Sequence, residues 1–392
     1  MSQELRIEYL KSIRERYKNS SRSKKSVILD EFCAVCDYSR KYAIAILAGK
    51  AEPLAKRPRG RHVLYDGSVV YHLRRLWLDM GQMGSTKFRA ALPEWIPFDE
   101  AMGHPEAVEI REKILKVSRA QIDRILNPFR GDPVHGLSAT RPGHKRIKNQ
   151  IPIQAKDFNI TKPGEQVQAD TVAHCGDSLS GVFANSLTVT DIDSTWTENR
   201  ALWGKSSARV IEAMRDIEAK LPFVLQGFKS DSGSEFMNYE LMAYFRERTQ
   251  ENVVKMTRSR PYKKDDNCYV EQKNFTHVRE IFGYARINDP ELVHRMNEIY
   301  VEYWGPLQNY FVPSQKILRK TRIGAHLKKE YEPAKTPYQR LLDSPHLPEE
   351  RKELLRRSKA GLNPFQLQKM LQKKLGEFEE ELRKRNTGVN AA

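Results

Sequence analysis

Apolar residues recur at helical spacing through the first fifty residues of the chain, which indicates an all-α N-terminal domain over 1–49. The pattern predicts three helices, at about 4–18, 24–36 and 39–48. The second helix would turn Val27, Ile28, Phe32 and Val35 inward. The third begins at Arg40 and Lys41, so its basic N-terminus would be available to a major groove, as in a helix-turn-helix domain. An ordinary three-helix bundle is the alternative.

A second helical pattern spans residues 66–130 and predicts another helix-turn-helix unit. It contains an amphipathic helix beginning near Val69, a short helix ended by Pro93 and a third helix from Glu109. Ser118 then opens a last helix with a capping-box pattern. Its outward side chains would be Arg119, Gln121 and Arg124, which are types able to bind the edges of guanine or adenine.

From Gly164 the pattern changes to alternating and short apolar runs, which are typical of strands. The predicted strands are 165–172, 185–192, 195–203, 223–229 and 252–256, with helices at 206–220 and 238–248. Three consecutive strands followed by alternating helices and strands favour an α/β core with a mixed five-stranded sheet over 164–290.

Residues 291–392 form a basic C-terminal region that begins as a helix through about residue 304. Residues 305–345 are rich in Lys and Arg, interrupted by Pro and poorly periodic, so we expect a small DNA-contacting subdomain whose fold the pattern does not define. A final amphipathic helix over about 363–385 carries a seam of Leu367, Leu371, Leu375, Phe378 and Leu382. That seam fits docking within the chain and coiled-coil dimerisation equally well.

Charge is distributed unevenly along the 392 residues, which carry a net charge of +17. Residues 1–150 have a net charge of +12, residues 151–300 of −3 and residues 301–392 of +8. A slightly acidic core between basic flanks suits a metal site between segments that bind nucleic acid. Two basic linkers, 50–65 and 131–163, separate the predicted domains. In the first, Arg57, Arg59 and Arg61 would lie in a minor groove or form a solvated linker.

The sequence shows no signal peptide, and no apolar run approaches the length of a membrane span, so we expect no membrane partner. The four cysteines give no disulfide framework, which indicates a reducing cytosol. Cys33 and Cys36 have the spacing of a zinc pair, but they lie in an apolar helical pattern without further ligands nearby, which favours core packing.

Three acidic residues have positions that suit a metal site. Asp231 ends the apolar stretch beginning at Phe223 and precedes a glycine turn, and Asp170 lies within an alternating strand pattern. Glu271 lies near the start of a helix that Asp266 or Asn267 would cap. Carboxylates from two strands and a helix can converge on two Mg²⁺ or Mn²⁺ ions. Other nearby acids are expected at turns, sheet edges, surfaces or caps: Asp191, Asp193, Glu235, Asp265 and Asp266.

The order Asp170, then Asp231-x-Gly-Ser-Glu, then Glu271 within Val-Glu-Gln-Lys-Asn resembles the catalytic core of bacterial insertion-sequence transposases of the DDE, or retroviral-integrase, type. Ser-Arg-Pro-Tyr before the glutamate is similar too, whereas Ser232 stands where Asn is usual. The resemblance covers about 160–290. It implies a ribonuclease H-like fold, two-metal DNA cleavage and strand transfer, and it assigns Asp170, Asp231 and Glu271 as metal ligands.

Further residues around the proposed ligands suit DNA contacts. Arg260, Lys263 and Lys264 precede the helix of Glu271 in a basic loop that would position a strand end. Asn274 shares the helix face of Glu271, as His277 does less closely, so both would approach phosphates. A solvated loop and a packed histidine are the structural alternatives.

The expected function is therefore a transposase that binds transposon ends and target DNA as a dimer or higher oligomer. A nuclease of the same fold that cuts without joining is one alternative. A sequence-specific DNA-binding protein without catalytic activity, derived from a transposase, is the other.

Overall fold

The structure, a computed structural model, describes residues 3–51, 64–104, 107–130, 151–154, 160–231, 233–247, 253–260, 264–323 and 326–389. The chain divides into two compact units, Met1–Leu64 and Tyr65–Ala392. The finer domain division given above stays a prediction. The proposed DNA-binding residues Arg57, Arg59, Arg61 and Lys263 lie outside the described residues.

The described residues of the first unit form three helices at nearly the predicted positions: α1 (Gln3–Lys18), α2 (Arg22–Cys36) and α3 (Arg40–Leu47). Phe32 and Cys36 lie at the centre of its core. Val27 and Val35, expected to face inward, are exposed, and Leu29 and Cys36 are buried instead. The buried face of α2 is therefore rotated relative to the prediction. Apolar residues lie on more than one side of this helix, and only its packing against the other helices selects the side that is buried.

The second unit begins with four helices: α4 (Gly67–Asp79), α5 (Ser85–Ala101), α6 (Val108–Lys116) and α7 (Arg119–Leu126). The prediction that Pro93 ends a helix was wrong, because α5 continues through both Pro93 and Pro97. Packing offsets the lost backbone hydrogen bonds. Trp95 is buried against Phe311 and Phe365, and its indole N–H donates to the Phe311 carbonyl at 3.1 Å.

The central sheet has five strands: β1 (Val167–Ala173), β2 (Ala184–Asp191), β3 (Thr197–Trp203), β4 (Gly227–Ser230) and β5 (Lys255–Arg258). Their order is β3-β2-β1-β4-β5. The first three strands pair antiparallel, whereas β4 pairs parallel with β1, and β5 pairs parallel with β4. The prediction of a mixed five-stranded sheet is confirmed, although β4 and β5 begin later than expected.

Helices cover the sheet and continue the chain: α8 (Ser207–Lys220), α9 (Tyr239–Arg246), α10 (Cys268–Lys273), α11 (Glu280–Phe282), α12 (Pro290–Glu298) and α13 (Gly305–Phe311). Two π-helical turns, Asn274–Arg279 and Ile299–Trp304, make α10–α11 and α12–α13 into longer rods. The first such turn begins at Asn274, directly after α10, which carries Glu271. π-Helical turns frequently occur at functional sites.

The C-terminal region consists of a hairpin, β6 (Ile317–Ile323) and β7 (His326–Tyr331), and of α14 (Pro337–Asp343), α15 (Glu349–Ala360) and α16 (Pro364–Val389). The seam of α16 docks within its own chain, where Phe378 packs edge-on against Phe282 at 5.0 Å between ring centroids. Among the described residues, the helices lack the length and apolar character that crossing a bilayer requires.

Candidate active site

Two carboxylates meet where β1 and β4 run side by side. The parallel register pairs Ala169 with Ser230. Asp170 in β1 and Asp231, directly after β4, are the next residues along these two strands and therefore lie side by side. Burial of the Asp170 carboxylate, together with the negative charge of Asp231, raises the pKa of Asp170 to about 8. The strand pairing thus brings together two of the three acids that were predicted from the sequence to be metal ligands.

Asp170 is held by hydrogen bonds to both of its carboxylate oxygens. The backbone N–H of Thr171 donates to Oδ1 at 2.8 Å, and the amide of Asn274 donates to Oδ2 at 2.7 Å. Both bonds favour the charged carboxylate, yet burial and the neighbouring acid outweigh them. Without a cation nearby, the Asp170–Asp231 pair therefore retains a proton at neutral pH.

The turn after β4 brings in a third acid that the sequence reading placed at the surface or at a cap. Glu235 is only 5% exposed. Its Oε1 accepts from the hydroxyl of Thr171 at 2.6 Å, and its Oε2 lies 3.8 Å from the Lys205 ammonium. The charge of Glu235 also raises the pKa of Asp170. The surface assignment of Glu235 was wrong, because the helical turn at residues 233–237 folds its side chain back toward the strands.

Gly233 leaves open the space that Asp231 and Glu235 share. Its backbone N–H donates to Asp231 Oδ1 at 2.9 Å. A Cβ at this position would lie 2.7 Å from Glu235 Oε2, closer than real Cβ contacts come, and at a tight 3.0 Å from Asp231 Oδ1. The i, i+4 spacing of Asp231 and Glu235 is the sequence signal that would have indicated their proximity.

Helix α10 docks its N-terminus on β1 through Gln168, two residues before Asp170 and on the same strand face. The side-chain oxygen of Gln168 accepts from the backbone N–H groups of Tyr269 and Val270 at 3.1 and 3.3 Å, and its amide donates to the Asp266 carbonyl at 3.0 Å. This capping places Glu271 on the first turn of α10. Asn274, one turn further on, reaches Asp170.

The side chain of Glu271 is exposed, unlike those of Asp170 and Glu235. Across the described part of the chain, no three His, Cys, Asp or Glu side chains are arranged to hold a metal ion. The structure therefore brings Asp170, Asp231 and Glu235 into one electrostatic cluster and places Glu271 on the adjoining helix.

His277 lies inside the protein, which corrects the expectation that its ring approaches DNA. It is 2% exposed, packs edge-on against Trp304 and shares a hydrogen bond of 3.3 Å with Asn199 Oδ1. Its other nitrogen lies 3.3 Å from the Lys273 ammonium. Burial lowers the pKa of His277 well below its usual value, so the ring stays neutral. His277 thereby ties the π-helical turn to β3.

Asp266, another acid predicted at a surface or cap, is buried and forms a two-pronged ion pair with Arg260. The guanidinium donates to both carboxylate oxygens at 2.8 Å, and the Arg260 backbone N–H donates at 3.0 Å. These bonds lower the pKa of Asp266 to about 2. Arg260, proposed as a DNA contact, is therefore engaged in fixing the loop before α10. Lys264 lies in the following 3₁₀ turn, and its side chain lies outside the described residues.

The proposed DNA-binding residues of the helical regions lie on partly or fully exposed faces. In the first unit Lys41 is exposed, and Arg40 forms an exposed ion pair with Asp30. On α7, Arg119 and Arg124 are exposed and Gln121 is half-buried. Ser118 caps this helix as predicted, accepting from the Gln121 backbone N–H at 3.2 Å. Their contact with DNA stays a prediction.

The chain is similar to a curated protein over most of its length. No protein-family model matches the chain. The uncharacterized protein y4rM of Sinorhizobium fredii (strain NBRC 101917 / NGR234) is 36% identical over 345 residues, covering 87% of this chain and 96% of that protein. Among solved structures, the catalytic core domain of BIV integrase aligns with a TM-score of 0.29 and 14% identity, over 47% of this chain and 97% of that one. That TM-score is too low to support a shared fold.

Proposed function

On the premise that this chain belongs to the family of the uncharacterized protein y4rM, we propose that it is a DDE-type transposase. It binds the ends of a mobile element, cuts the DNA there and joins the ends to a target duplex. The observation that carries the proposal is the Asp170–Asp231 pair at adjacent strands, in which Asp170 is held by Asn274 from the helical rod that carries Glu271. The strand order β3-β2-β1-β4-β5 fits the ribonuclease H-like core that such enzymes use.

The chemistry of these donors fits divalent cations. Asp170 and Asp231 repel each other when both are charged, and a hard cation between them would remove that repulsion. Asp170, Asp231 and Glu271 would hold two Mg²⁺ or Mn²⁺ ions, with Glu235 beside them. Bound there, the ions would supply activation of an attacking oxygen and stabilisation of the leaving oxygen in phosphodiester exchange.

The protein's own residues supply the positioning. Asn274 and the Thr171 N–H fix both oxygens of Asp170, and Thr171 also fixes Glu235 through its hydroxyl. Gly233 keeps the space beside Asp231 free of a side chain, so a DNA strand can approach the carboxylates closely. The exposed carboxylate of Glu271 would close the site from α10.

The basic segments that precede the core would hold the DNA, through Lys41 and Arg40 in the first unit and Arg119, Gln121 and Arg124 on α7. Joining requires two ends, so we propose a dimer or a higher oligomer on DNA, acting in the bacterial cytoplasm.

A strand-transfer assay tests the proposal. Purified protein is incubated with a target plasmid and labelled duplexes tiled across the DNA that flanks its gene, in Mg²⁺, Mn²⁺ or EDTA. We expect metal-dependent joined products with wild-type protein and none with Asp231→Asn or Glu271→Gln. Cleavage without joining would instead identify a nuclease, and binding with neither reaction would identify a DNA-binding protein without catalysis.

A further inference from the structure

The β6–β7 hairpin stands apart from the rest of the fold. Among the described residues its two strands pair only with each other, and every residue of β7 is exposed. Isolated two-stranded hairpins are at best marginally stable in water. A projecting hairpin of this kind therefore needs an anchor at its base and gains stability from a partner along its length.

The anchor is the turn between β2 and β3. Lys316, just before β6, donates to the Asp193 carbonyl at 2.7 Å. Arg340 is buried and donates to Glu332 Oε1, just after β7, at 2.9 Å, and to the Thr195 hydroxyl at 2.9 Å. The Nη2 group of Arg340 also donates to the Ser314 carbonyl at 2.7 Å. Both ends of the hairpin are therefore fixed to the catalytic sheet, and only its strands project.

The projecting strands are strongly basic. The described residues of β6 and β7 include five Lys or Arg and one acid, Glu330, which is paired in register with Arg319. Lys328 and Lys329 are adjacent, so β7 presents a lysine on each of its faces. Within the described residues, no carboxylate oxygen lies within 4 Å of either lysine. A ridge of exposed cations is complementary to a polyanion.

Apolar side chains accompany the cations. Leu318 is 69% exposed, Leu327 52% and Tyr331 48%. Apolar and aromatic groups among cations suit contacts with sugars and base edges of nucleic acid. The hairpin is anchored where Asp191 pairs with Val167, three residues before Asp170, on the order of 10 Å along the strand. Each hairpin strand is itself about 20 Å long, which is enough to follow a duplex that reaches the carboxylates.

We propose that the β6–β7 hairpin is a clamp for duplex DNA, in which Lys328, Lys329 and Arg319 bind phosphates of the duplex that enters the active site. This inference rests on the proposed function, because it assigns the place where that duplex is held outside the carboxylate site.

The test measures binding without catalysis. Full-length protein is titrated into a labelled 30-base-pair duplex, about three helical turns, in EDTA over a series of salt concentrations, and binding is followed by fluorescence anisotropy. The test variant is Lys328→Glu/Lys329→Glu. The matched control is Lys369→Glu/Lys373→Glu, which reverses two exposed lysines on α16. Thermal melting verifies that both variants remain folded. If the charge-reversal variant does not fold, Lys328→Ala/Lys329→Ala replaces it as the test variant.

We expect the hairpin variant to bind at least about tenfold more weakly in low salt and to lower the slope of log affinity against log salt by about 2, as for two lost phosphate contacts. The control should keep the wild-type slope. Equal affinity and slope for wild type and hairpin variant would overturn the clamp and leave the transposase proposal intact. Absence of any duplex binding by wild type would overturn both. The same variants are also titrated with anionic lipid vesicles. If the hairpin variant binds the duplex like wild type but loses binding to the vesicles, the clamp is overturned and the hairpin is assigned to a membrane surface.

Discussion

The amide of Asn274 donates a 2.7 Å hydrogen bond to Asp170, a residue 104 positions earlier in the chain. This bond joins the π-helical turn after α10 to the central strand of the sheet. It also fixes the orientation of the one carboxylate whose pKa is raised to about 8. Glu271 lies on the same helical rod as Asn274. The position of Glu271 therefore depends on the bond that Asp170 accepts from Asn274.

Replacing Asn274 with Leu should therefore reduce cleavage by about 10- to 100-fold, the usual effect of losing a partner that orients a metal ligand. Leu has a similar volume but cannot donate to Asp170. Cleavage rates in Mg²⁺ are compared with duplex binding in EDTA, which should not change. Thr276→Ala, on the same helical turn, serves as the control. An unchanged cleavage rate for Asn274→Leu would refute the positioning role.

The Asp170–Asp231 pair should make the metal-free protein less stable as pH rises. The folded protein retains a proton that the unfolded chain releases above its ordinary pKa of 3.8, so stability decreases as pH rises from there toward about 8. Asp170→Asn removes this penalty. Its melting temperature in EDTA should exceed that of wild type by at least about 2 °C near pH 8.

The difference between Asp170→Asn and wild type should shrink steadily as pH falls from about 8 toward the unfolded pKa of 3.8. Differential scanning fluorimetry across this range measures it. Saturating Mg²⁺ should raise the melting temperature of wild type more than that of the variant. A difference that does not vary with pH would contradict the shifted pKa.

Glu235→Gln should weaken Mn²⁺ binding by about tenfold, even though Glu235 was not among the acids nominated from the sequence. The substitution keeps the shape and the bond from Thr171 but removes a buried negative charge beside Asp231. Isothermal titration calorimetry gives the affinity without reference to catalysis. Glu240→Gln, an exposed acid on α9, is the matched control and should bind like wild type.

Phe378→Ala should destabilise the larger unit by about 3–5 kcal/mol, the usual cost of truncating a buried aromatic side chain. Phe378 is 2% exposed and contacts Phe282, which lies in the same helical rod as Glu271. Chemical denaturation compares the variant with wild type at two protein concentrations. Since α16 docks within its own chain, the loss should be independent of concentration. A concentration-dependent loss would indicate that the seam holds two subunits together.

Much of the fold was predictable because its signals are local. Neighbouring residues alone specify these elements. The alternation around Asp170 specifies a strand, the apolar run before Asp231 a strand end, and the capping sequence at Ser118 a helix start. The predicted helices of the first unit, the mixed sheet and the amphipathic α16 follow from such patterns. The prediction for Pro93 failed because Trp95 packs against residues more than 200 positions away, and no local pattern contains that contact.

The sequence by itself determined the order of the elements and the identity of candidate acids, because periodicity and turn chemistry depend on adjacent residues. Only the tertiary structure decided which side chains share one environment. In the folded chain Glu235 is buried beside Asp170, Asn274 donates a hydrogen bond to the Asp170 carboxylate, and His277 lies in the core. Helix α16 also docks within the chain. Burial, pKa and side-chain partners depend on segments that are distant in sequence, so these properties exist only once the chain has packed.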